Sequence, residues 1–270
     1  MKRFLAILLI LCMALFAVAC NNEESKPTDA SEKPTAAPTE KPTETPTEEP
    51  TEKPTEGNQG EVDYAAKSEG VMTYAQYDAA AVDAEVVIEA YVQATQSWWE
   101  DKITVYLQDP DGAYFAYELA CSETDAAKLT KGTKIKITGY KAVWAGEIEI
   151  MDGTFEFCDD GLTWVAEATD VTDLLGTDEL IKHQNKYVKF TDMTVAKITY
   201  RNDQPGDDIY VDFTKGEATY SFCVERYLTS PDTDFYKSFA DLTVGTVVDV
   251  EGFLYWYEGV NTHITAIVTK

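Results

Sequence analysis

From Val86 onward the chain alternates apolar and polar positions in two similar series of short strands. Val86, Ile88, Ala90 and Val92 alternate with polar or mixed residues, as do Ile103, Val105 and Leu107. A period of two marks strands with one buried face. Asp109-Pro110-Asp111-Gly112 reads as a turn: proline presets φ, aspartate bonds its own backbone and glycine takes the awkward conformation. Strand character resumes over 113–120. Ser122 then opens a short helical stretch to Leu129, with an acidic first turn in Glu123 and Asp125, as a helix N-terminus favours. Strands over 133–143 and 147–157 complete a β-β-β-α-β-β series. A second series is predicted over 187–198, 208–213, 217–224, a helix at 235–242, then 246–255 and 260–268.

The two series are one module repeated. Leu129, Thr130, Gly132 and Thr133 match Leu242, Thr243, Gly245 and Thr246 at an offset of 113, and Gly139 and Gly146 match Gly252 and Gly259 at the same offset. Six identities over these 18 positions compare with about one expected from average composition. Ile135 and Ile137 face Val248 and Val250, while Tyr106 and Gly112 match Tyr210 and Gly216 at an offset of 104. Five strands with a helix between the third and fourth are the order of the OB-fold, a small Greek-key barrel. The expected fold class is all-β with short helices, as two tandem OB-fold-like barrels over 61–165 and 166–270. Short helices beginning at Thr73 and Thr177 lead into each; Thr73-Tyr74-Ala75-Gln76 has the capping-box form.

The N-terminal 60 residues have a different character. Lys2 and Arg3 precede an apolar run from Phe4 to Ala19, which ends at Cys20 and is followed by Asn21, Asn22 and charged residues. A basic start, a short apolar stretch and small residues before the cysteine make residues 1–19 a signal peptide rather than a membrane span. The pattern resembles a bacterial lipoprotein signal, which implies cleavage before Cys20 and lipid on its thiol. Ala17 stands where such signals most often carry leucine; the alternative is an ordinary signal peptide with an incidental cysteine. Two or more acyl chains on one residue hold a protein on a membrane, whereas one binds only marginally. The expected location is therefore extracytoplasmic, anchored to the bacterial cell membrane. Seven of the ten prolines fall between 27 and 54, those at 38, 42, 46, 50 and 54 each followed by threonine. With almost no large apolar side chain, residues 20–60 cannot build a core. They read as an extended stalk, whose residues 26–55 alone would reach on the order of 90 Å fully extended.

Charge narrows the partners. Net charge is −26 overall. Residues 62–270 alone hold 37 acidic against 16 basic side chains, a net of −21. Such a field opposes partners held through phosphates. The local basic run Lys128, Lys131, Lys134, Lys136 and Lys141 lies on the helix and fourth strand, away from the usual OB ligand face. Chemistry is sparse as well. His183 and His263 stand alone in their modules, and no HExxH, CxxC or EF-hand loop occurs. The acidic pairs Asp159-Asp160 and Asp207-Asp208 read as solvated loops before they read as calcium ligands. No Gly-x-Ser-x-Gly elbow is present. The expectation is a protein that is not an enzyme, with no cofactor and no metal. Cys121, Cys158 and Cys223 remain after the signal region, an odd number. Free, buried thiols are expected, a Cys121–Cys158 bridge being the alternative.

Aromatic residues carry the most information. OB-folds bind ligands on the face of strands 2 and 3 and through the loops joining strands 1–2 and 4–5. Trp98 and Trp99 lie in the first 1–2 loop, Trp144 in one 4–5 loop, and Tyr255, Trp256 and Tyr257 in the other. These six are the candidate ligand-binding residues, because such rings stack on sugars or bases; packing within or between the modules is the competing role. The run from Glu251 to Gly259, with residues 261–265 behind it, resembles tandem OB-fold surface lipoproteins of gut-dwelling Gram-positive bacteria. Residues 105–109 with Gly112-Ala113-Tyr114 resemble the OB modules of bacterial extracellular nucleases. The resemblance spans about residues 70–268 and implies fold and location; the lipoproteins have no settled activity, and the nuclease catalytic domains are absent from this sequence. Two functions follow from different classes. One is a surface-tethered protein capturing polysaccharide or peptide through loop aromatics. The other is a structural or assembly scaffold that meets a surface protein partner. Single-stranded nucleic acid ranks below both.

Overall fold

The computed structural model describes residues 62–270; the expected signal peptide, lipid-bearing Cys20 and stalk lie outside the described residues. Residues 62–270 fall within one compact unit built around two barrels. Helix α1 (Tyr74–Ala79) begins at Thr73 with the anticipated capping box, its hydroxyl accepting from the Gln76 amide. Strands β1 (Glu85–Thr95), β2 (Lys102–Gln108), β3 (Ala113–Ala120), β4 (Lys134–Trp144) and β5 (Glu147–Phe157) form a closed barrel in the order β1-β2-β3-β5-β4. Helix α2 (Glu123–Ala126) sits between β3 and β4, capped by Ser122. The second barrel contains β7 (Tyr187–Tyr200), β8 (Ile209–Lys215), β9 (Ala218–Val224), α3 (Asp234–Ser238), β10 (Val247–Phe253) and β11 (His263–Thr269). It closes through β10–β7 pairing, and the two-residue β6 (Thr169–Asp170) adds in parallel to β7. Both barrels have the OB-fold order.

The repeat identities have structural causes. Gly132 and Gly245 share φ of +91°, a backbone region that costs other residues about 1–2 kcal/mol. Each donates its N–H to the first strand of its barrel, at Val92 and Val195, at 2.8 and 2.7 Å. Thr130 bonds Thr133 and Thr243 bonds Thr246 through their hydroxyls. Gly139 and Gly252 lie beside the register shifts of β4 against β5 and of β10 against β11. A Cβ on Gly139 would meet Ile150 Cγ2 at 2.7 Å, and one on Gly252 would strike the His263 carbonyl.

Two differences from expectation stand out. The stretch after Thr177 is a 3₁₀ turn over Leu180–His183 rather than an α-helix: Thr177 Oγ1 donates to the Leu174 carbonyl and accepts from the Glu179 amide at 3.3 Å, while Glu179, which precedes the turn, makes no side-chain cap. The lysine run is largely consumed internally. Lys134 is buried between Asp160 and Glu89, Lys136 pairs with Glu156, and Lys128 pairs with Asp125. Lys141 is buried and donates to the carbonyls of Tyr77, Asp78 and Ala80 at the end of α1, where a cation is favoured.

Each barrel has its own apolar core, centred on Val105, Ile137 and Ile150 in the first and on Phe190, Phe213 and Phe222 in the second. A third cluster of Tyr106, Phe115, Phe253 and Tyr255 joins them. On β3, Tyr114 and Ala116 face the first core, so Phe115 points out of the barrel and is buried by the second module. Tyr106 stacks on Phe253 with ring centres 4.3 Å apart and bonds His263 Nδ1 at 2.5 Å. The Tyr187 amide donates to Gln108 Oε1 across the same seam. Among the described residues Cys121, Cys158 and Cys223 are unpaired, no helix is long and apolar enough to cross a membrane, and no cluster of three His, Cys, Asp or Glu could hold a metal.

Candidate ligand cleft between the barrels

A cleft of about 1340 Å³ opens between the barrels. Its first wall is the usual OB ligand face: β2 and β3 through Lys102, Thr104 and Tyr117, the 1–2 loop through Trp99, and the ends of β4 and β5 through Trp144 and Glu149. The second barrel supplies the opposite wall with Arg201, Asp208, Tyr210, Glu225, Tyr227, Tyr255 and Tyr257.

Local backbone geometry holds the rim rings. Trp99 and Lys102 exchange both backbone hydrogen bonds at 3.0 Å, closing a tight turn in which Glu100 and Asp101 have φ of 47° and 60°. That turn leaves Trp99 71% exposed. The two 4–5 loops touch each other: the Glu258 amide donates to the Ala145 carbonyl at 2.7 Å, and Trp144 lies 5.1 Å from Tyr257 between ring centres. Trp144, Tyr257, Tyr117 and Tyr227 are also exposed. Five large rings facing solvent in one concavity contrast with the scattered apolar residues of an ordinary surface.

The six sequence candidates divide. Trp99, Trp144, Tyr255 and Tyr257 converge on this cleft. Tyr255 is its buried floor, stacked on His263 at 4.3 Å and edge-on to Phe115. Trp98 points elsewhere: its indole N–H donates to the Cys121 carbonyl at 2.8 Å, its ring packs on the first core, and it lines a smaller hollow of about 540 Å³. Ser97, whose amide donates to the Tyr227 carbonyl at 2.7 Å, borders both spaces. Trp256 packs on the second core while its amide donates to Glu147 Oε2 at 2.8 Å. Sequence reasoning missed Tyr117, Tyr210 and Tyr227. Tyr117 had a readable signal, since it shares the outward side of β3 with Phe115. The other two depend on how the second barrel docks.

Carboxylates dominate the cleft's electrostatics. Lys102 pairs with Glu118 at 2.6 Å and Arg201 with Asp208 at 2.9 Å. Arg226 lies 3.8 Å from Asp207. Glu225 accepts from the Tyr227 and Leu228 amides, and burial, opposed by those bonds, pushes its carboxyl up to about 6. Glu149 is only 5% exposed and has no hydrogen-bond or ion-pair partner among the described residues. Burial raises its pKa. The Oδ1 of Asn261, on the opposite wall, also faces no donor. Burial pushes the Cys121 and Cys158 thiols up to about 11 and Cys223 higher still, so all three stay protonated at neutral pH.

No family model matches this chain, and no curated protein matches it. Similar solved structures include a murine DNA-binding protein bound with double-stranded DNA, at 11% identity and TM-score 0.34, covering 68% of this chain and 96% of that one. Another is the Ifi202 HINa domain in complex with 20-bp double-stranded DNA, at 10% identity and TM-score 0.33, covering 69% and 98%. The p204 HINb domain is similar at 12% identity and TM-score 0.31, covering 70% and 96%. At these values the fold assignment rests on the strand pairing described above.

Proposed function

We propose that this protein is a non-catalytic binding protein outside the bacterial cell, anchored by lipid on Cys20 and carried on its stalk, which captures polysaccharide in the cleft between its barrels. The observation that carries the reading is the convergence of exposed Trp99, Tyr117, Trp144, Tyr227 and Tyr257 on one concavity lined with carboxylates. Flat rings stack on the apolar faces of sugar rings, and carboxylates accept from hydroxyls. The signal pattern of residues 1–20 supports the location, and the proline-threonine segment supports the tether. A scaffold pairing through a strand edge has less support. Both barrels close, and among the described strands only the two-residue β6 has a single neighbour. Nucleic acid is disfavoured by the net −21 of residues 62–270 and by lysines already paired within the fold.

Affinity electrophoresis tests the reading. A soluble chain of residues 21–270 is run through gels containing a panel of polysaccharides, beside lanes with single- and double-stranded DNA. At least one glycan is expected to retard it, DNA is not, and a Trp99→Ala/Trp144→Ala variant of unchanged circular dichroism loses the retardation. Retardation by DNA alone, or by no polymer, overturns the reading.

A further inference from the structure

The cleft distinguishes among glycans by charge, an inference that rests on the polysaccharide reading above. Its cations are committed: Lys102 to Glu118, Arg201 to Asp208, and Arg226 toward Asp207. What is left without a counter-ion is negative. Glu149 is 95% buried on the cleft wall with no partner among the described residues, and Glu225 bonds only backbone amides. A neutral ligand closing over Glu149 would desolvate a carboxylate without compensating its charge, and an anionic one would add repulsion. An ammonium group compensates the charge and supplies three donors. The neighbouring rings of Tyr117 and Tyr255 add cation–π attraction, which is strongest where water is excluded. Asn261, on the opposite wall, holds a further unpartnered acceptor in its Oδ1.

We propose that the cleft selects a glycan bearing free amino groups, a de-N-acetylated amino-sugar polymer in chemical class, with Glu149 receiving the ammonium. Glu149 is the specificity-determining residue, and the rim rings supply stacking common to amino and neutral sugars.

The test compares matched short oligosaccharides of β-linked glucosamine and N-acetylglucosamine by titration calorimetry against residues 21–270. Short ligands limit general attraction of a polycation to an acidic protein. The amine form is expected to bind about tenfold more tightly. Glu149→Gln should abolish most of that difference with a melting temperature no lower than that of the natural chain. Asp241→Asn, which removes an exposed charge outside the cleft, should keep it. Equal affinity for the two forms, or a preference that survives Glu149→Gln, overturns the inference while capture of either sugar leaves the polysaccharide reading standing. If neither oligosaccharide binds and no polymer retards the protein in gels, both fall.

Discussion

Glu147 and His263 put ionisable groups into the seam that joins the barrels, and both are held neutral. Glu147 Oε2 accepts from the Trp256 amide and from Gln184 Nε2, while Oε1 faces no partner. Burial pushes its carboxyl up to about 8, with the donors from Trp256 and Gln184 opposing the shift and nearby Glu149 adding to it. His263 is buried against Tyr106 and Tyr255, and burial lowers it to about 3. The signs of the two contributions differ. Between its ordinary value of 4.5 and about 8, Glu147 is protonated in the folded state and ionised when unfolded, so stability falls as pH rises through that window. Between 6.5 and about 3, His263 is neutral when folded and charged when unfolded, so stability falls as pH drops. A Glu147→Gln variant should match the natural protein's melting temperature near pH 4.5 and exceed it increasingly up to about pH 8. Thermal melts across that range check this; a variant less stable at both ends would show that the ionised carboxylate is the form the seam needs. The Glu-Ile-Glu-Ile alternation of residues 147–150 correctly sends the glutamates out of the first barrel. It carries no sign that a second module covers that side.

Strand order and the connecting helices were legible because each element carries its own local signal. The Thr73 and Ser122 caps, the Asp109 turn and the period-two strands all require only neighbouring residues, and all are present. Asp109 Oδ1 accepts from both the Asp111 and Gly112 amides, as the turn chemistry predicts. The segment after Thr177 departs: the Thr177 hydroxyl donates back to Leu174 and accepts from the Glu179 amide, and only a single 3₁₀ turn follows. The repeated glycines were visible as identities, yet their reasons are tertiary. Gly252→Ala places a methyl against the His263 carbonyl, its carbonyl carbon at 2.9 Å and Ile264 Cα at 3.0 Å, with backbone on every side. Such overpacking should cost about 2–3 kcal/mol, measured by urea unfolding. A loss below about 0.5 kcal/mol, the scatter of innocuous surface changes, would mean that β10 and β11 separate freely at this point.

At the scale of the whole molecule, the cleft belongs to neither module alone. One barrel offers the usual OB ligand face, and the other turns its loop aromatics and carboxylates toward it. Sequence reading placed Trp99, Trp144 and Tyr257 on loops of the right kind, since loop positions follow from strand order. It could not separate Trp99 from its neighbour Trp98, whose indole is drawn to the Cys121 carbonyl by the fold of the first barrel. Nor could it foresee Tyr210 or Tyr227, which reach the cleft only because Tyr106, Phe115, Phe253 and Tyr255 lock the modules together. On the proposed function, ligand occupies this cleft and covers its rim indoles. Acrylamide quenching of tryptophan fluorescence, with and without a glycan that retards the protein, tests it most directly. Bound glycan is expected to lower the quenching of the natural chain toward that of the Trp99→Ala/Trp144→Ala variant, whose quenching the glycan leaves unchanged. Quenching that stays the same while the glycan is bound would place the ligand outside this cleft.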